Sequence, residues 1–321
     1  MSVLEVDSLR VQLPTPSGHV TIVDGVDYAV EAGEVLGVAG ESGSGKTISM
    51  LALLGLLPER STVHGTARFE GRDLITMPRR ELRDIAGRDL AMVFQDPFTS
   101  LHPMLSVGKQ LTEHVRRHLH LDRAASQRRA VELLEDVRIP DPEAALRAFP
   151  HHFSGGMRQR IAIAIALACR PKLLIADEPT TALDVTVQAG ILRLLDRLRR
   201  EHELAVILIT HDLGVLSSIA DRVSIFYAGR VVESGARDAV LTHPRHPYTH
   251  ALLDALPHPE VSKERPLVAI GGAPPAPGRL PTGCAFNPRC AHAVETCRLE
   301  VPQLVVAGDR RLACPVDPFR A

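Results

Sequence analysis

The sequence contains no hydrophobic run of the length needed to cross a bilayer, about 18 consecutive apolar residues. It also has no basic and apolar leader at its N-terminus, so we expect no export. Neither sign of charge dominates, because 37 Lys and Arg face 38 Asp and Glu. Proteins that bind nucleic-acid phosphates usually carry a basic excess, so this balance argues against a nucleic-acid partner. We therefore expect any action on a membrane to pass through a partner protein.

What the sequence does contain is the octapeptide GESGSGKT, a full match to the pattern G-x-x-x-x-G-K-[ST]. Its glycines allow a tight turn in which successive backbone N–H groups converge on a phosphate. Lys46 is expected to reach the β- and γ-phosphates, and the Thr47 hydroxyl to bind Mg²⁺. A short apolar strand over 34–39 precedes the loop, and an apolar helix over 47–57 follows it. The pattern predicts a nucleotide site formed by Gly40, Glu41, Ser42, Gly43, Ser44, Gly45, Lys46 and Thr47.

Two further buried strands are predicted, over 172–176 and 205–209. All three strands end at polar residues suited to phosphate chemistry, since the second leads to Asp177 and Glu178 and the third to His211. Ligands of open α/β sheets collect beyond the carboxyl ends of the strands, so we expect the three endings to share one site.

The rest of the first 255 residues divides into two kinds of secondary structure. Residues 4–11 and 20–30 alternate in polarity like strands of a small antiparallel sheet. Residues from about 96 to 168 are expected to be mostly helical, with polar interruptions at Asp122 and at Asp141.

Asp177 and Glu178 end the second strand as two adjacent carboxylates. Successive residues of a strand point to opposite sides, so the two acids are expected to do different work. Asp177 can hold Mg²⁺, directly or through water, while Glu178 can polarise the attacking water as a general base. The alternative is an ordinary strand that meets its loop.

Ser154, Gly155 and Gly156 precede an Ile- and Ala-rich stretch that is expected to form a helix. The exposed N–H groups and the dipole at a helix N-terminus attract anions. Since the octapeptide already holds this chain's own nucleotide, we expect the second anion site to cap the nucleotide of another subunit. A plain helix cap is the alternative.

Together these motifs resemble the ATP-binding cassette (ABC) family, over roughly residues 4–253. The segment 153–159 is similar to the family's signature motif, with Phe153 and Met157 where Leu and Gln are commoner. The resemblance implies an α/β fold, that of an ABC-type P-loop NTPase, with a RecA-like core, a small antiparallel β subdomain and an α-helical subdomain. It also implies ATP hydrolysis with ATP and Mg²⁺ as cofactors.

Three more residues take their roles from this resemblance. Gln95 is similar to the family's Q-loop glutamine, which senses the Mg²⁺ and water site and meets the transmembrane partner. Asp184 resembles the D-loop aspartate that crosses the dimer interface, and His211 the switch histidine that contacts the γ-phosphate. The family usually stacks adenine on an aromatic residue, where this chain has Leu13, so we assign no adenine-stacking residue.

Other segments are similar to the ATPases of the oligopeptide/dipeptide importer family. They are residues 95–103, 149–160, 177–188, 246–249 and 283–290. The resemblance implies a complex with a second ABC ATPase subunit, as a heterodimer or alternatively a homodimer, two transmembrane permease subunits and an extracytoplasmic solute-binding protein. The chain would then be peripheral on the cytoplasmic face of the cell membrane.

The expected function is to power the import of dipeptides and oligopeptides. Nickel or another solute remains an alternative cargo, because cargo never touches the cassette. A soluble ABC protein that acts on ribosomes or DNA is a further alternative, but such proteins usually carry two cassettes or basic surfaces. A non-hydrolysing regulatory subunit is opposed by Glu178 and His211.

Four of the five cysteines, Cys284, Cys290, Cys297 and Cys314, lie near the C-terminus. In a reducing compartment such a group indicates metal rather than disulfides. Structural zinc sites usually contain cysteine pairs about two to four residues apart, and this set has none. We therefore favour a [4Fe–4S] cluster, which the related family tails are thought to carry, with zinc or no metal as alternatives. The nearby histidines at 243, 246, 250, 258 and 292 are expected to be solvated.

These expectations divide the chain into two domains. We predict an ABC nucleotide-binding domain over 1–255, with the helical subdomain at about 97–168. We predict a proline- and cysteine-rich extension of the oligopeptide-importer type over 256–321, because prolines accumulate after residue 256.

Overall fold

The computed structural model describes residues 2–96, 100–181, 183–256 and 269–320. In these ranges the strands are β1 (Ser2–Thr15), β2 (Gly18–Glu31), β3 (Val35–Ala39), β4 (Thr62–Phe69), β5 (Arg72–Asp73), β6 (Leu90–Val93), β7 (Leu173–Asp177), β8 (Ala205–Ile209), β9 (Arg222–Tyr227), β10 (Arg230–Ala236), β11 (Val305–Val306) and β12 (Arg310–Leu312). The helices are α1 (Lys46–Leu53), α2 (Arg79–Ile85), α3 (Val107–Leu119), α4 (Arg123–Asp136), α5 (Pro142–Arg147), α6 (Gly155–Ala166), α7 (Val185–His202), α8 (Leu213–Ile219), α9 (Arg237–Thr242), α10 (Pro247–Asp254) and α11 (Glu295–Leu299). Short 3₁₀ helices lie at Pro150–His152 and Asn287–Arg289.

The chain forms two compact units, each assembled from separate stretches of sequence. The first unit contains Val30–Val35 and Phe69–Ile209, together with the N-terminal residues up to Leu4. The second contains Glu5–Ala29, Leu36–Arg68 and the described residues from Thr210 onward. The predicted boundary between residues 255 and 256 stays a prediction, and it lies beside residues 257–268, outside the described ranges.

In the first unit, β6, β7 and β8 form parallel neighbours, with β7 in the middle. Every residue of β7 and β8 is buried, as expected of parallel strands covered on both faces. The register pairs Asp177 with Ile209, so both strands end at the same level. The buried strands predicted over 172–176 and 205–209 are therefore confirmed, the first of them one residue further along.

The helical region predicted between about 96 and 168 is confirmed in its described part as α3, α4, α5 and α6. Its two predicted interruptions are helix starts. Asp122 caps α4 by accepting a hydrogen bond from the Ala125 N–H at 2.7 Å, and Asp141 caps α5 in the same way from Ala144 at 3.1 Å. Aspartate is favoured at such positions because its carboxylate satisfies a free helical N–H group.

In the second unit, β1 lies between β2 and β4, so the small sheet expected from the alternating residues 4–11 and 20–30 is present. A second set of strands runs in the order β3, β9, β10, β12 and β11. β3 and β9 are parallel, whereas the remaining pairs are antiparallel. The last two strands come from the C-terminal tail, which we define as residues 269–320. Sequence reasoning did not anticipate that the tail adds strands to this sheet.

Helix α1 is shorter than predicted, since it ends at Leu53 rather than at residue 57. Gly55 adopts a φ of +65°, and its N–H donates to the Ala52 carbonyl at 3.2 Å. The Leu56 N–H donates to the Leu51 carbonyl at 3.0 Å. These two bonds form a Schellman motif, in which a left-handed glycine ends the helix.

Candidate nucleotide-binding and hydrolysis site

The phosphate loop (residues 40–47) connects β3 to α1 in the second unit and depends on its glycines for conformation. Gly43 and Gly45 have φ values of +78° and +98°, and Gly40 has +144°. A Cβ at Gly40 would lie 2.1 Å from the Phe226 carbonyl oxygen. A Cβ at Gly43 would meet no atom within 4 Å, so the loop faces open space there. A backbone with left-handed glycines among its turn residues directs successive N–H groups to one side, as an anion site requires.

Lys46 is buried at the start of α1 and ties the loop together. Its ammonium group donates to the Gly40 carbonyl at 2.7 Å, to the Glu41 carbonyl at 2.9 Å and to the Ser44 hydroxyl at 3.3 Å. The structure therefore places the cation that sequence reasoning assigned to the phosphates directly over the loop.

Glu41 has partners that sequence reasoning missed. Its carboxylate accepts two hydrogen bonds from the Arg289 guanidinium, at 2.7 and 2.9 Å. Its backbone N–H donates to the Tyr248 hydroxyl at 2.9 Å. Both partners follow Thr210 in the chain and belong to the same compact unit as the loop. The nearest sequence clue was Arg289 itself, which lies inside the importer-like segment 283–290.

Asp177 and Glu178 differ in environment, as their alternation predicted. Asp177 is the last residue of β7 and is buried, whereas Glu178 is half-buried. Glu178 adopts a φ of +45°, in the left-handed region that costs a non-glycine residue about 1 kcal/mol or more. Its backbone N–H still donates to the Ile209 carbonyl at 2.9 Å. The chain therefore turns sharply at the residue proposed as general base.

The Glu178 carboxylate is held by two side chains of the first unit. The Gln95 amide donates to Oε2 at 2.9 Å, and the Thr181 hydroxyl donates to the same oxygen at 2.9 Å. The structure thus brings Gln95 and Glu178 together, although 83 positions separate them. Thr181 is a further residue of this contact that sequence reasoning did not single out.

Ser154 caps α6, since its hydroxyl accepts a hydrogen bond from the Met157 N–H at 3.4 Å. Gly156 allows a close approach to α7, because a Cβ there would lie 2.5 Å from Cγ1 of Val187. Asp184 caps α7 by accepting from the Val187 N–H at 2.9 Å. The serine-glycine segment and Asp184 are therefore neighbours within the first unit. Ala182, which precedes Asp184, lies outside the described residues.

His211 is exposed and follows β8, in the second unit with the phosphate loop. The preceding Thr210 is buried, and its N–H donates to the Val38 carbonyl of β3 at 3.1 Å. Asp212 caps α8 with bonds from the Gly214 and Val215 N–H groups. His211 is thereby held between two well-anchored residues.

The four tail cysteines, Cys284, Cys290, Cys297 and Cys314, line one small cavity together with His246 and His292, and all four are free thiols. Among the described residues, however, no three His, Cys, Asp or Glu side chains are placed so that they could hold a metal ion. Burial is the main cause that raises the pKa of the Cys284, Cys290 and Cys314 thiols. The described residues therefore give no support to the iron–sulfur cluster that we favoured, nor to the zinc alternative.

The expectation that the nearby histidines are solvated is wrong for His246. This side chain is buried, and burial lowers its pKa to about 3. Its Nδ1 accepts a hydrogen bond from the Tyr248 N–H at 3.0 Å, so the neutral ring caps α10. His243 and His292 are exposed, and His258 lies outside the described residues.

Comparison with known proteins gives two family matches in this chain. Residues 23–181 match the family model for ABC transporters. The chain is 48% identical, over 98% of its length and 94% of the relative's, to the oligopeptide transport ATP-binding protein OppD of Salmonella typhimurium. This chain belongs to the ABC transporter family. Residues 232–297 also match the model for the C-terminal region of oligopeptide/dipeptide transporters. The dipeptide transport ATP-binding protein DppD of Escherichia coli is 46% identical over 97% of this chain and 95% of its own length.

Solved structures show the same ABC cassette fold. A dimeric ATP-binding cassette, MJ0796, in a post-hydrolysis state with ADP and Pi aligns with a TM-score of 0.65. The alignment covers 73% of this chain and 98% of that one, at 24% identity. The cbiO1 subunit of Clostridium perfringens aligns with a TM-score of 0.64 over 75% of this chain and 91% of its own, at 27% identity. In the described part of this ABC protein, no helix combines the length and apolar character that a membrane span requires.

Proposed function

We propose that this ABC protein binds and hydrolyses ATP to power the import of dipeptides and oligopeptides. One observation carries the proposal. A single chain contains both the ABC transporter match over 23–181 and the match over 232–297 to the C-terminal region of oligopeptide/dipeptide transporters. The geometry of the two candidate centres, the phosphate loop and Glu178, agrees with this function.

The phosphate loop would bind the triphosphate. Its backbone N–H groups and the Lys46 ammonium supply positive charge where a polyphosphate needs it. The Thr47 hydroxyl, the Asp177 carboxylate and the Gln95 amide oxygen are hard oxygen donors of the kind that Mg²⁺ prefers, so the donor set fits this ion. When bound, Mg²⁺ would neutralise charge on the phosphates.

Glu178 would accept a proton from the attacking water. Its carboxylate is oriented by the Gln95 and Thr181 contacts, each 2.9 Å long. A base held in this way needs no reorientation when the water is activated. His211 would act as the switch histidine that contacts the γ-phosphate of the bound ATP.

Ser154, Gly155 and Gly156 would cap the nucleotide bound to a second ATPase subunit, and Asp184 would lie at the interface with it. The N-terminus of α6, which Ser154 caps, supports an anion-binding role. We further propose two permease subunits and an extracytoplasmic solute-binding protein as partners. The chain would then work on the cytoplasmic face of the membrane.

The hydrolysis step is tested by Glu178→Gln in the full-length chain. We expect ATP binding to persist while turnover falls by about 10²- to 10⁴-fold, the usual contribution of a positioned base. Glu201→Gln is the matched control, because Glu201 pairs with Arg197 on the exposed side of α7. Turnover near the wild-type rate in Glu178→Gln would remove this residue from the mechanism.

The cargo is tested with the chain co-purified with its membrane partners and reconstituted in vesicles. We expect ATP hydrolysis to rise when the solute-binding protein is supplied with dipeptides or oligopeptides. Stimulation by Ni²⁺ instead of peptides would refute peptide import but leave ATP hydrolysis intact.

A further inference from the structure

Glu41 presents an electrostatic problem inside the phosphate loop. It places a carboxylate one residue after Gly40, in the loop proposed to receive a triphosphate. Like charges repel strongly where water is partly excluded, and the Glu41 side chain is only 25% exposed. An uncompensated Glu41 would therefore oppose nucleotide binding.

Arg289, from the C-terminal tail, compensates this charge with favourable geometry. Both terminal nitrogens donate to the two carboxylate oxygens of Glu41, and only 5% of the Arg289 side chain is exposed. A two-point contact of this kind fixes the orientation of the Glu41 carboxylate as well as neutralising its charge. A lysine, with its single ammonium group, cannot fix that orientation.

The guanidinium is itself held in place by other groups. Its Nε donates to the Gly271 carbonyl at 2.8 Å, and Nη1 donates to the Tyr227 hydroxyl at 3.3 Å. Its central carbon lies 5.8 Å from the ring centroids of Tyr227 and Phe286. Arg289 thus has a fixed position, so that the tail can orient Glu41 rather than follow it.

The backbone of Glu41 is anchored at the same time. Its N–H donates to the buried Tyr248 hydroxyl, and its carbonyl accepts from the Lys46 ammonium at 2.9 Å. Side chain, N–H and carbonyl are therefore each held by a different residue. The first turn of the phosphate loop cannot move without breaking one of these bonds.

We propose that Arg289 is a positioning residue of the nucleotide site, through which the C-terminal tail neutralises Glu41 and holds the phosphate loop ready for ATP. This inference rests on the proposed binding of ATP by the loop. It gives the tail a direct part in nucleotide binding.

The test is calorimetric binding of ATP with Mg²⁺ to the full-length chain and its variants. We expect Arg289→Met to raise the Kd of ATP about tenfold, because Glu41 then repels the phosphates. Glu41→Gln alone should change the Kd by less than about threefold. The double variant should return to within about threefold of wild type, since it lacks the repelling charge.

The matched control is Arg298→Met, which removes an exposed cation from the same tail. It should leave the Kd unchanged. If the double variant binds as weakly as Arg289→Met, the tail acts by packing alone and the proposal is wrong. An unchanged Kd in Arg289→Met would also overturn it.

Two further measurements keep the result unambiguous. Should Arg289→Met fail to fold, Arg289→Lys takes its place, with a weakening of about threefold that Glu41→Gln relieves. Absence of that relief overturns the proposal. A wild-type chain that does not bind ATP would instead refute the proposed function, so the two failures are distinguishable.

Discussion

The phosphate loop and the C-terminal tail belong to the same compact unit but are stabilised differently. The conformation of the loop is stabilised by close backbone contacts, such as the approach of the Phe226 carbonyl that leaves no room for a Cβ at Gly40. The tail is anchored by ion pairs and by strand pairing. Arg310 of β12 binds Glu233 of β10, and both side chains are at most 5% exposed. Arg245 binds Asp317.

The difference explains why the conformation of the loop can be predicted from sequence, whereas the contacts that anchor the tail cannot. A loop that requires glycine at fixed spacing leaves a visible motif. An anchor between residues far apart in the chain leaves none. The two candidate ligand sites differ as well. The phosphate loop faces open space at Gly43, whereas among the described residues no three His, Cys, Asp or Glu side chains are placed so that they could hold a metal ion.

The largest expected effect is on the buried anchor of the tail. Arg310→Met leaves the Glu233 carboxylate buried, and the backbone N–H groups of Arg245 and His246 are then its remaining donors among the described residues. Removal of one partner of a buried ion pair costs about 3–5 kcal/mol. Denaturant unfolding should show this loss of stability. The neighbouring Arg311→Met is the control, because its pair with Asp27 is partly exposed and is worth about 1 kcal/mol or less. Equal losses of stability in Arg310→Met and Arg311→Met would contradict the idea that the buried ion pair anchors the tail.

The next effect concerns the glycine contacts of the loop. Gly40→Ala should weaken ATP binding roughly a hundredfold, about 3 kcal/mol, because the new methyl group would clash with the Phe226 carbonyl. Gly43→Ala places a side chain at a left-handed φ but causes no clash, so it should weaken the free energy of ATP binding by about 1–2 kcal/mol. Binding calorimetry would compare the ATP affinities of the two variants. A larger loss in Gly43→Ala would show that the close approach at Gly40 does not control the loop.

A pH-dependent effect should arise from His246. The native pKa of about 3 lies below the ordinary value of 6.5, so between these values the unfolded chain binds a proton that the folded chain excludes. Stability should therefore fall as the pH decreases, by about 2 kcal/mol from pH 6.5 to pH 5.

His246→Asn is the variant that isolates this titration. Its amide oxygen can accept the hydrogen bond from the Tyr248 N–H but does not titrate. Unfolding curves across this pH range should be flatter for the variant than for wild type. Parallel curves would mean that His246 does not carry the acid sensitivity.

The smallest expected effects are at the cysteines. Cys297 is buried, so Cys297→Ser should cost about 1 kcal/mol, and the less buried Cys290→Ser should cost less. A shared metal would instead make both substitutions severe, because metal binding contributes strongly to folding. Denaturant unfolding, with iron and zinc assayed after purification without oxygen, separates these outcomes. Metal bound stoichiometrically and lost in both variants would restore the cluster hypothesis.

Much of the first unit followed from local pattern. The apolar runs of β7 and β8 and the Ser154 helix start were predicted, because each depends on neighbours in sequence. Asp122 and Asp141 were predicted only as polar interruptions of the helical region, and the structure shows that they cap helices. The length of α1 was overestimated, since the apolar pattern continues past Gly55 while the backbone turns there. The burial of His246 was missed because proline-rich surroundings indicate exposure only on average.

By itself the sequence determined the ABC cassette and its phosphate loop, since both rest on residue spacings that the backbone requires. Only the tertiary structure decided what surrounds Glu41. Arg289 is 248 positions away and Tyr248 is 207 away, and no local pattern pairs residues at such separations. The same reason explains the tail strands and the cysteine cavity, because their geometry depends on how β10, β12 and the tail pack, not on the order of residues within any one of them.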